Sequence, residues 1–326
     1  MRHSLQIYAC SVEINATLNE IKQAYDGVAK WAKPESPAFS INFAAMKPVI
    51  RKEPKGTVLI ISPFNYPLWL SFGPVAGAIA AGCTVVLKPS EISTAVSALI
   101  SEIIPQYMDN DVFRIVNGAV PESTKLLELQ WDHSSYFPLP FLRQRQRPIL
   151  CALVLYTGGN AVAKVVSAAA AKHLTPVSLE LGGKSPVIID SSCDLTMTAK
   201  RLLWGKTVNA GQTCVAPDYV LVPRGFQDTL VDALKKTYVP PRTSPMLSKD
   251  CSDSGGCRYD QFYPEGPASS DSFSRIVSSR HFNRIKNLLD NSKGTIVAGG
   301  ETDADKKYIA PTILKDVKFD DSLMSE

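Results

Sequence analysis

From residue 57 onward the chain alternates short, mostly apolar runs with longer amphipathic ones. TVLIIS (57–62) and CTVVLKP (83–89) are short and β-branched, as strands buried on both faces of a parallel sheet must be. Between them LWLSFGPVAGAIAAG (68–82) has the length of a helix, and Gly82 supplies its C-terminal stop. Ser90 is placed to cap the helix that follows, ISTAVSALISEII, and Glu91 falls in its first turn, where the helix dipole favours an acid. The rhythm continues through strand FRIVNG, helix ESTKLLEL, helix NAVAKVVSAAAAKHL, and strands PVSLEL and PVIID. Beyond these the spacing predicts a helix at 194–208, strand YVLVP, helices FQDTLVDALKKTY and HFNRIKNLLD, and strand GTIVAGG. Residues 12–33 form an amphipathic helix ahead of the pattern, with Ile14, Leu18, Ile21, Ala24 and Val28 on one face. Buried-type strands alternating with helices predict an α/β fold, a doubly wound parallel sheet followed by a second α/β half, the two meeting near residue 181.

Two segments break the rhythm, 134–155 and 239–260, each 22 residues long and rich in Pro, Arg or Ser. Structureless stretches of that length are uncommon inside a compact domain, so each is either a surface loop or, on the reading preferred for both, translated non-coding sequence. The first lies where a sheet strand is needed. If Leu153, Val154 and Leu155 lead into YTGG, that strand can still form.

Composition narrows the class. Of 326 residues, 45% are hydrophobic and 20% charged, which excludes a disordered chain. The net charge of +4 is spread along the sequence without a basic stripe, so nucleic acid is not an expected partner. No apolar run reaches the ~18 residues of a membrane span, and the first residues lack the pattern of a secretory signal. The seven cysteines are scattered without a C-x-x-C pair, so neither a zinc site nor a disulfide framework is expected. A cytoplasmic enzyme is the leading expectation.

The candidate chemistry sits at predicted strand ends and turns. Cys214 closes VNAGQTC, a Gly-containing turn after a helix that can expose the sulfur; by residue type alone a small buried hydrophobe is the commoner fate of a cysteine. Glu180 in ELGGK is a carboxylate at the mouth of a strand, or a solvated strand-end charge. Lys88 and Glu91 in KPSE can bind a ribose, or merely form a capped strand-to-helix loop. Thr157, Gly158 and Gly159 open a helix whose N–H groups can meet a pyrophosphate. Asn65 in PFNYP is an amide donor at a strand end, or an ordinary turn residue.

The five motifs PFNYP, KPSE, YTGG, ELGGK and GQTC, in this order, resemble the aldehyde dehydrogenase superfamily, and AAAAKHLTPVSLELGGKSPVIID resembles its class 3, fatty-aldehyde branch in a fungal-type form. The resemblance covers nearly all of the chain outside the two interrupting segments. It implies a Rossmann-type NAD(P)-binding domain over 1–181 and a catalytic domain over 182–326. It makes Cys214 the nucleophile, Asn65 the oxyanion donor and Glu180 the base that activates water. Lys88 and Glu91 would hold the adenosine ribose, with Thr157, Gly158 and Gly159 beside the pyrophosphate. Glu91 leans toward NAD, because a 2′-phosphate would meet a like charge, with NADP also possible. The implied reaction oxidises medium- or long-chain aliphatic aldehydes to acids through a thiohemiacetal and a thioester on Cys214. Coenzyme A as acceptor has no site in these motifs.

The resemblance also predicts departures. The family carries an acidic-x-Phe-Gly-Pro motif after the position of SLMSE, together with further strands, a dimerising extension and, in the fatty-aldehyde branch, a hydrophobic tail. None of these is in the sequence. The expectation is therefore a C-terminally incomplete chain without a membrane anchor. The alternative function is a catalytically inactive fold that at most binds a cofactor or a partner. A full-length product with such a tail would be peripheral to an internal membrane.

Overall fold

The computed structural model describes residues 9–129, 153–238, 263 and 266–325. The chain divides into two compact units, Gln6–Leu181 and Gly182–Glu326. The interrupting segments lie outside the described residues, apart from Leu153–Leu155 of the first.

The Gln6–Leu181 unit is built on five parallel strands: β1 Thr57–Ile61, β2 Thr84–Lys88, β3 Phe113–Ile115, β4 Leu153–Gly158 and β5 Val177–Leu181, in the spatial order β3-β2-β1-β4-β5. Helix α1 (Asn15–Trp31) precedes the sheet. Helices α2 (Trp69–Ala80), α3 (Thr94–Ile103), α4 (Val120–Glu128) and α5 (Asn160–Ala171) alternate with its strands. The alternation of side chains along a strand decides which residues serve which layer. Val58 and Ile60 of β1 join Val85, Leu87 and Phe113 in a core with Val75 of α2 and Ile100 of α3. Leu59 and Ile61 point to the opposite face and pack with Val154, Tyr156, Leu126 of α4, and Ala163 and Val166 of α5. The sheet is thus sandwiched between two helical layers, which is why its inner strands β1, β2 and β4 carry no polar alternation. β1 is central, and the chain runs outward from it in both directions, so the strand order reverses between β1 and β4.

Two local expectations are met closely. Gly82 ends α2 in the left-handed region (φ +77°), and its N–H donates to Ile79 O at 2.9 Å. Only glycine adopts that conformation without strain. An added Cβ would also stand 2.8 Å from Cγ of Pro54. Residues Leu153–Leu155 do complete a strand, pairing with β1 on one side and β5 on the other.

The Gly182–Glu326 unit departs from simple alternation. β6 (Ser185–Ile188) and β7 (Pro217–Leu221) pair in parallel, with α6 (Leu195–Thr207) and α7 (Gln227–Tyr238) packed over Ile189, Ala199, Leu202, Leu203, Leu230 and Leu234. After α8 (Ser279–Asp290) come short antiparallel pairs: β8 (Thr295–Ala298) with β11 (Ile313–Lys315), and β9 (Thr302–Asp303) with β10 (Tyr308–Ile309). Strands of two or three residues are too short to leave a periodicity in the sequence, and β9 to β11 were not foreseen. Among the described residues no helix is long and apolar enough to cross a membrane, and no group of three or more His, Cys, Asp and Glu is disposed to hold a metal ion.

Candidate functional site

Strand register brings several candidates onto one edge of the five-stranded sheet. Ile61 pairs with Lys88 on one side and Tyr156 on the other, and Tyr156 pairs with Leu179. This row crosses the sheet at the carboxyl ends of the strands, where ligands bind in open α/β sheets at a reversal of strand order. Lys88 lies in the row. Glu180 lies one residue beyond it, opposite Thr157. Gly159 follows β4, and Asn65 lies in the loop that leaves β1.

Lys88 has 4% of its side chain exposed, a costly place for a cation without partners. Its Nζ donates to Glu91 Oε2 at 2.7 Å and to Gly118 O at 3.1 Å. Glu91 in turn keeps 43% of its side chain exposed. Burial works to raise its pKa, but the Lys88 hydrogen bond, a backbone bond and the Lys88 charge together hold it below the usual carboxylate value. The result is a fixed, ionised acceptor at a strand end. Ser90 accepts from Ile92 N at 3.3 Å, so the predicted cap forms, at the head of a short 3₁₀ turn that leads into α3.

Thr157 and Gly158 close β4 rather than opening the helix, and Gly159 takes the N-cap position of α5. An extra Cβ on Gly158 would stand 2.3 Å from the Tyr156 hydroxyl, whereas one on Gly159 meets nothing within 4 Å. The first glycine makes room for the tyrosine; the second leaves open space at a helix start without a side-chain cap bond. The first N–H groups of a helix have no partner within the helix, so such an end is disposed toward an anion. Tyr156 donates to Gly159 O at 3.3 Å, which fixes the approach to that end. Burial raises its pKa, so it stays protonated and keeps donating.

Asn65 is half-buried in a loop pinned at both ends. Ser62 N donates to Lys88 O at 3.1 Å, and the Ser71 hydroxyl is shared between Pro67 O (2.6 Å) and the Ser62 hydroxyl (2.7 Å). Glu180 is exposed on β5.

Cys214 belongs to the other unit and is exposed. It occupies the second position of a turn closed by Ala216 N donating to Thr213 O at 3.1 Å. The approach to that turn is unusual. Asn209 (φ 52°), Ala210 (φ 53°) and Gly211 (φ +76°) are three consecutive left-handed residues after α6. For a residue with a Cβ that conformation costs roughly 1–2 kcal/mol, and strain of this kind gathers at functional sites. The run is held by Gln212. Its Nε2 donates to Asn209 O and to Arg275 O, both at 3.1 Å, and its Oε1 accepts from Val277 N at 3.0 Å. Sequence reasoning used the cysteine of GQTC and passed over its glutamine. It also passed over Tyr156 and Arg275, whose roles depend on partners that no local pattern indicates.

The structure therefore places Asn65, Lys88, Glu91, Thr157, Gly158, Gly159 and Glu180 in one unit, along one sheet edge and its loops, and Cys214 in the other. The model of the aldehyde dehydrogenase family matches residues 5–131 and 149–326. The chain is 42% identical over 314 residues to the mouse "Aldehyde dehydrogenase, dimeric NADP-preferring", covering 96% of this chain and 60% of that protein. It is 40% identical over 321 residues to the rat "Aldehyde dehydrogenase family 3 member A2", covering 98% and 57%. The solved structure "Substrate bound state of Staphylococcus Aureus AldH" superposes with a TM-score of 0.78 at 36% identity, covering 98% of this chain and 60% of that one. The chain thus spans 57–60% of the length of these relatives.

Proposed function

The chain belongs to the aldehyde dehydrogenase family, and on that premise we propose that it carries the machinery for NAD(P)-dependent oxidation of aliphatic aldehydes, of medium or long chain, to carboxylic acids. The observation that carries the reading is the sheet edge. A buried lysine holds an ionised glutamate beside an open, uncapped helix start, at the reversal point of a doubly wound sheet. Those residues fit a dinucleotide. Glu91 has an exposed carboxylate to accept from ribose hydroxyls, and the α5 start has open space and N–H groups for a pyrophosphate. Glu91 favours NAD on charge grounds, while the mouse relative is named NADP-preferring, so both cofactors belong in the assay. The reading divides the labour, with cofactor binding in 1–181 and the nucleophile in 182–326.

When bound, the nicotinamide ring supplies the hydride acceptor. The protein's own groups do the rest. The Cys214 thiolate attacks the aldehyde carbon, a C–S bond forms, and the carbonyl π pair moves to oxygen. Asn65 donates its side-chain N–H to that alkoxide. The C–H bond breaks with loss of hydride, and a thioester remains on Cys214. Glu180 takes a proton from water, whose oxygen attacks the thioester carbon; the C–S bond breaks and the thiolate is restored. The dimeric state in the mouse relative's name extends to this chain, as a homodimer, as a proposal.

The test is formation of reduced nicotinamide from a series of straight-chain aldehydes. Cys214→Ala is expected to lower it by at least about 1,000-fold. Glu180→Gln should leave a single-turnover burst and remove steady turnover, because deacylation alone is blocked. Activity that survives Cys214→Ala overturns the assignment. Cofactor binding without turnover in the unaltered chain favours the binding-only alternative.

A further inference from the structure

We propose that Gln212 is the positioning residue of the nucleophile loop, setting where the Cys214 sulfur stands; its catalytic consequence rests on the dehydrogenase reading above. Three observations support this, and each is independent of any role for the glutamine in binding.

The first is saturation. A primary amide offers two N–H donors and one carbonyl. Gln212 uses both donors and the acceptor on backbone atoms: Asn209 O, Arg275 O and Val277 N. A side chain serving only solubility, or filling space, has no need of three backbone partners from two segments more than 60 residues apart in sequence.

The second is the state of the backbone it holds. Asn209 and Ala210 are left-handed although each carries a Cβ, and left to itself such a run relaxes toward ordinary backbone angles. Two bonds link Gln212 to Asn209 O, one from its side chain and one from its backbone N–H at 3.1 Å. Asn209 Nδ2 returns a bond to Gln212 O at 3.4 Å. Cys214 lies two residues further on, so relaxation of the run redirects the sulfur.

The third is the rigidity of the far anchor. Ile276, between the two anchoring residues, is buried and donates from its N–H to Lys307 O at 2.9 Å. The Arg275 guanidinium donates to Phe273 O (2.7 Å), Ala268 O (2.8 Å) and Pro267 O (3.4 Å), and lies 5.2 Å from the centre of the Tyr308 ring. Ser278 caps α8 immediately afterwards, accepting from His281 N at 3.3 Å. Gln212 therefore ties a strained loop to a segment that is itself fixed from three sides. Arg275 acts one step removed, by fixing the carbonyl that Gln212 uses.

Gln212→Met keeps the length and removes every polar atom. Gln212→Glu keeps an acceptor for Val277 N–H but sets an oxygen against the carbonyls of Asn209 and Arg275. In the full chain, both are expected to lower kcat by about 10- to 100-fold, because a misplacement near 1 Å is enough for that. The KM for aldehyde and for dinucleotide should stay within about twofold, since only geometry in the reacting state is lost. Hydrogen exchange supplies the readout that needs no turnover. Amides of 208–216 should exchange at least about tenfold faster, and those of α6 should be unchanged. A kcat within about twofold of the unaltered chain overturns the proposal. So does acceleration that spreads equally through α6, which marks a general structural role. If Gln212→Met does not fold, Gln212→Glu carries the same comparison. If the unaltered chain forms no reduced nicotinamide, the dehydrogenase reading falls. The exchange result then decides the loop assignment alone: acceleration confined to 208–216 upholds it, and none overturns it.

Discussion

The sheet edge and the nucleophile loop solve the same problem, fixing polar groups where a ligand can reach them, by opposite means. At the edge, the backbone is relaxed. Lys88, Tyr156 and Glu180 take their places from strand register, and the strands are held by apolar residues buried on both faces. In the loop, Asn209 and Ala210 are held against their backbone preference, and bonds to Arg275 and Val277 hold them there. A register shared by five strands is over-determined, so one lost contact moves little. A loop tied to a distant segment through one side-chain amide has less reserve. The difference teaches that precision bought through sheet register is robust to substitution, while precision held against strain by a few long-range bonds is less so.

The largest effect that can sharpen this contrast on the edge is expected from Lys88→Met. Glu91 would lose its ion pair and Gly118 O its donor. Gly118 is half-buried, so its unpaired carbonyl should cost at most about 1 kcal/mol, the low end for a lost acceptor. Dinucleotide affinity should fall at least about tenfold, the equivalent of about 1.4 kcal/mol, because Glu91 is no longer fixed. Titration calorimetry with NAD, beside chemical denaturation, measures both. The sheet itself should persist, with a native circular dichroism spectrum. Unchanged affinity breaks the claim that the pair builds the ribose site, and a lost spectrum breaks the claim that register is robust.

Ala210→Gly probes the loop and should have the opposite sign. Removing the Cβ relieves roughly 1–2 kcal/mol of left-handed strain, against about 0.5–1 kcal/mol for the added freedom of the unfolded glycine. A net stabilisation of about 0.5–1 kcal/mol is expected in urea denaturation. Turnover should not rise with it, since strain relieved at a working loop gains stability without improving geometry. Destabilisation would show that the left-handed run costs nothing, and the contrast with the edge would fail.

How much of this could be read from the sequence follows the same division. The predominantly apolar runs TVLII and TVVLK identify themselves as doubly buried strands, and Gly82 and Ser90 mark helix ends by their own local chemistry. From strand order, the places of Lys88, Gly159 and Glu180 at carboxyl ends follow directly. Gln212 is different, because its partners Arg275 and Val277 are 63 and 65 residues away and offer only backbone atoms, which every residue has. The left-handed angles of Asn209 and Ala210 are equally hidden, since alanine gives no warning of them. The short antiparallel pairs β8/β11 and β9/β10 escape for want of length. Local chemistry and repeated burial are legible in a single sequence; bonds to distant backbone are not.

The smallest effect tests a long-range bond on the relaxed side. The first turn of α2 has no side-chain cap of its own, and Glu13 Oε2 accepts from Leu68 N (3.0 Å) and Trp69 N (2.9 Å) across 55 and 56 residues. Burial of the Glu13 carboxyl raises its pKa; the two backbone bonds pull it down without cancelling the rise. The folded chain therefore holds this proton more tightly than the unfolded one does. The stability Glu13 contributes is full below the unfolded value and is lost as pH rises through the raised folded value. Glu91 has the reverse sign: its pKa is lowered, so its contribution is present above the ordinary carboxylate value and lost as pH falls through the folded one. Glu13→Gln keeps an oxygen for the two N–H groups and removes the titration. Denaturation free energies measured from below the ordinary carboxylate value to neutrality should show the variant gaining on the unaltered chain as pH rises, with equal m-values. Parallel curves would mean that Glu13 titrates alike folded and unfolded, and that its cap on α2 carries no buried charge.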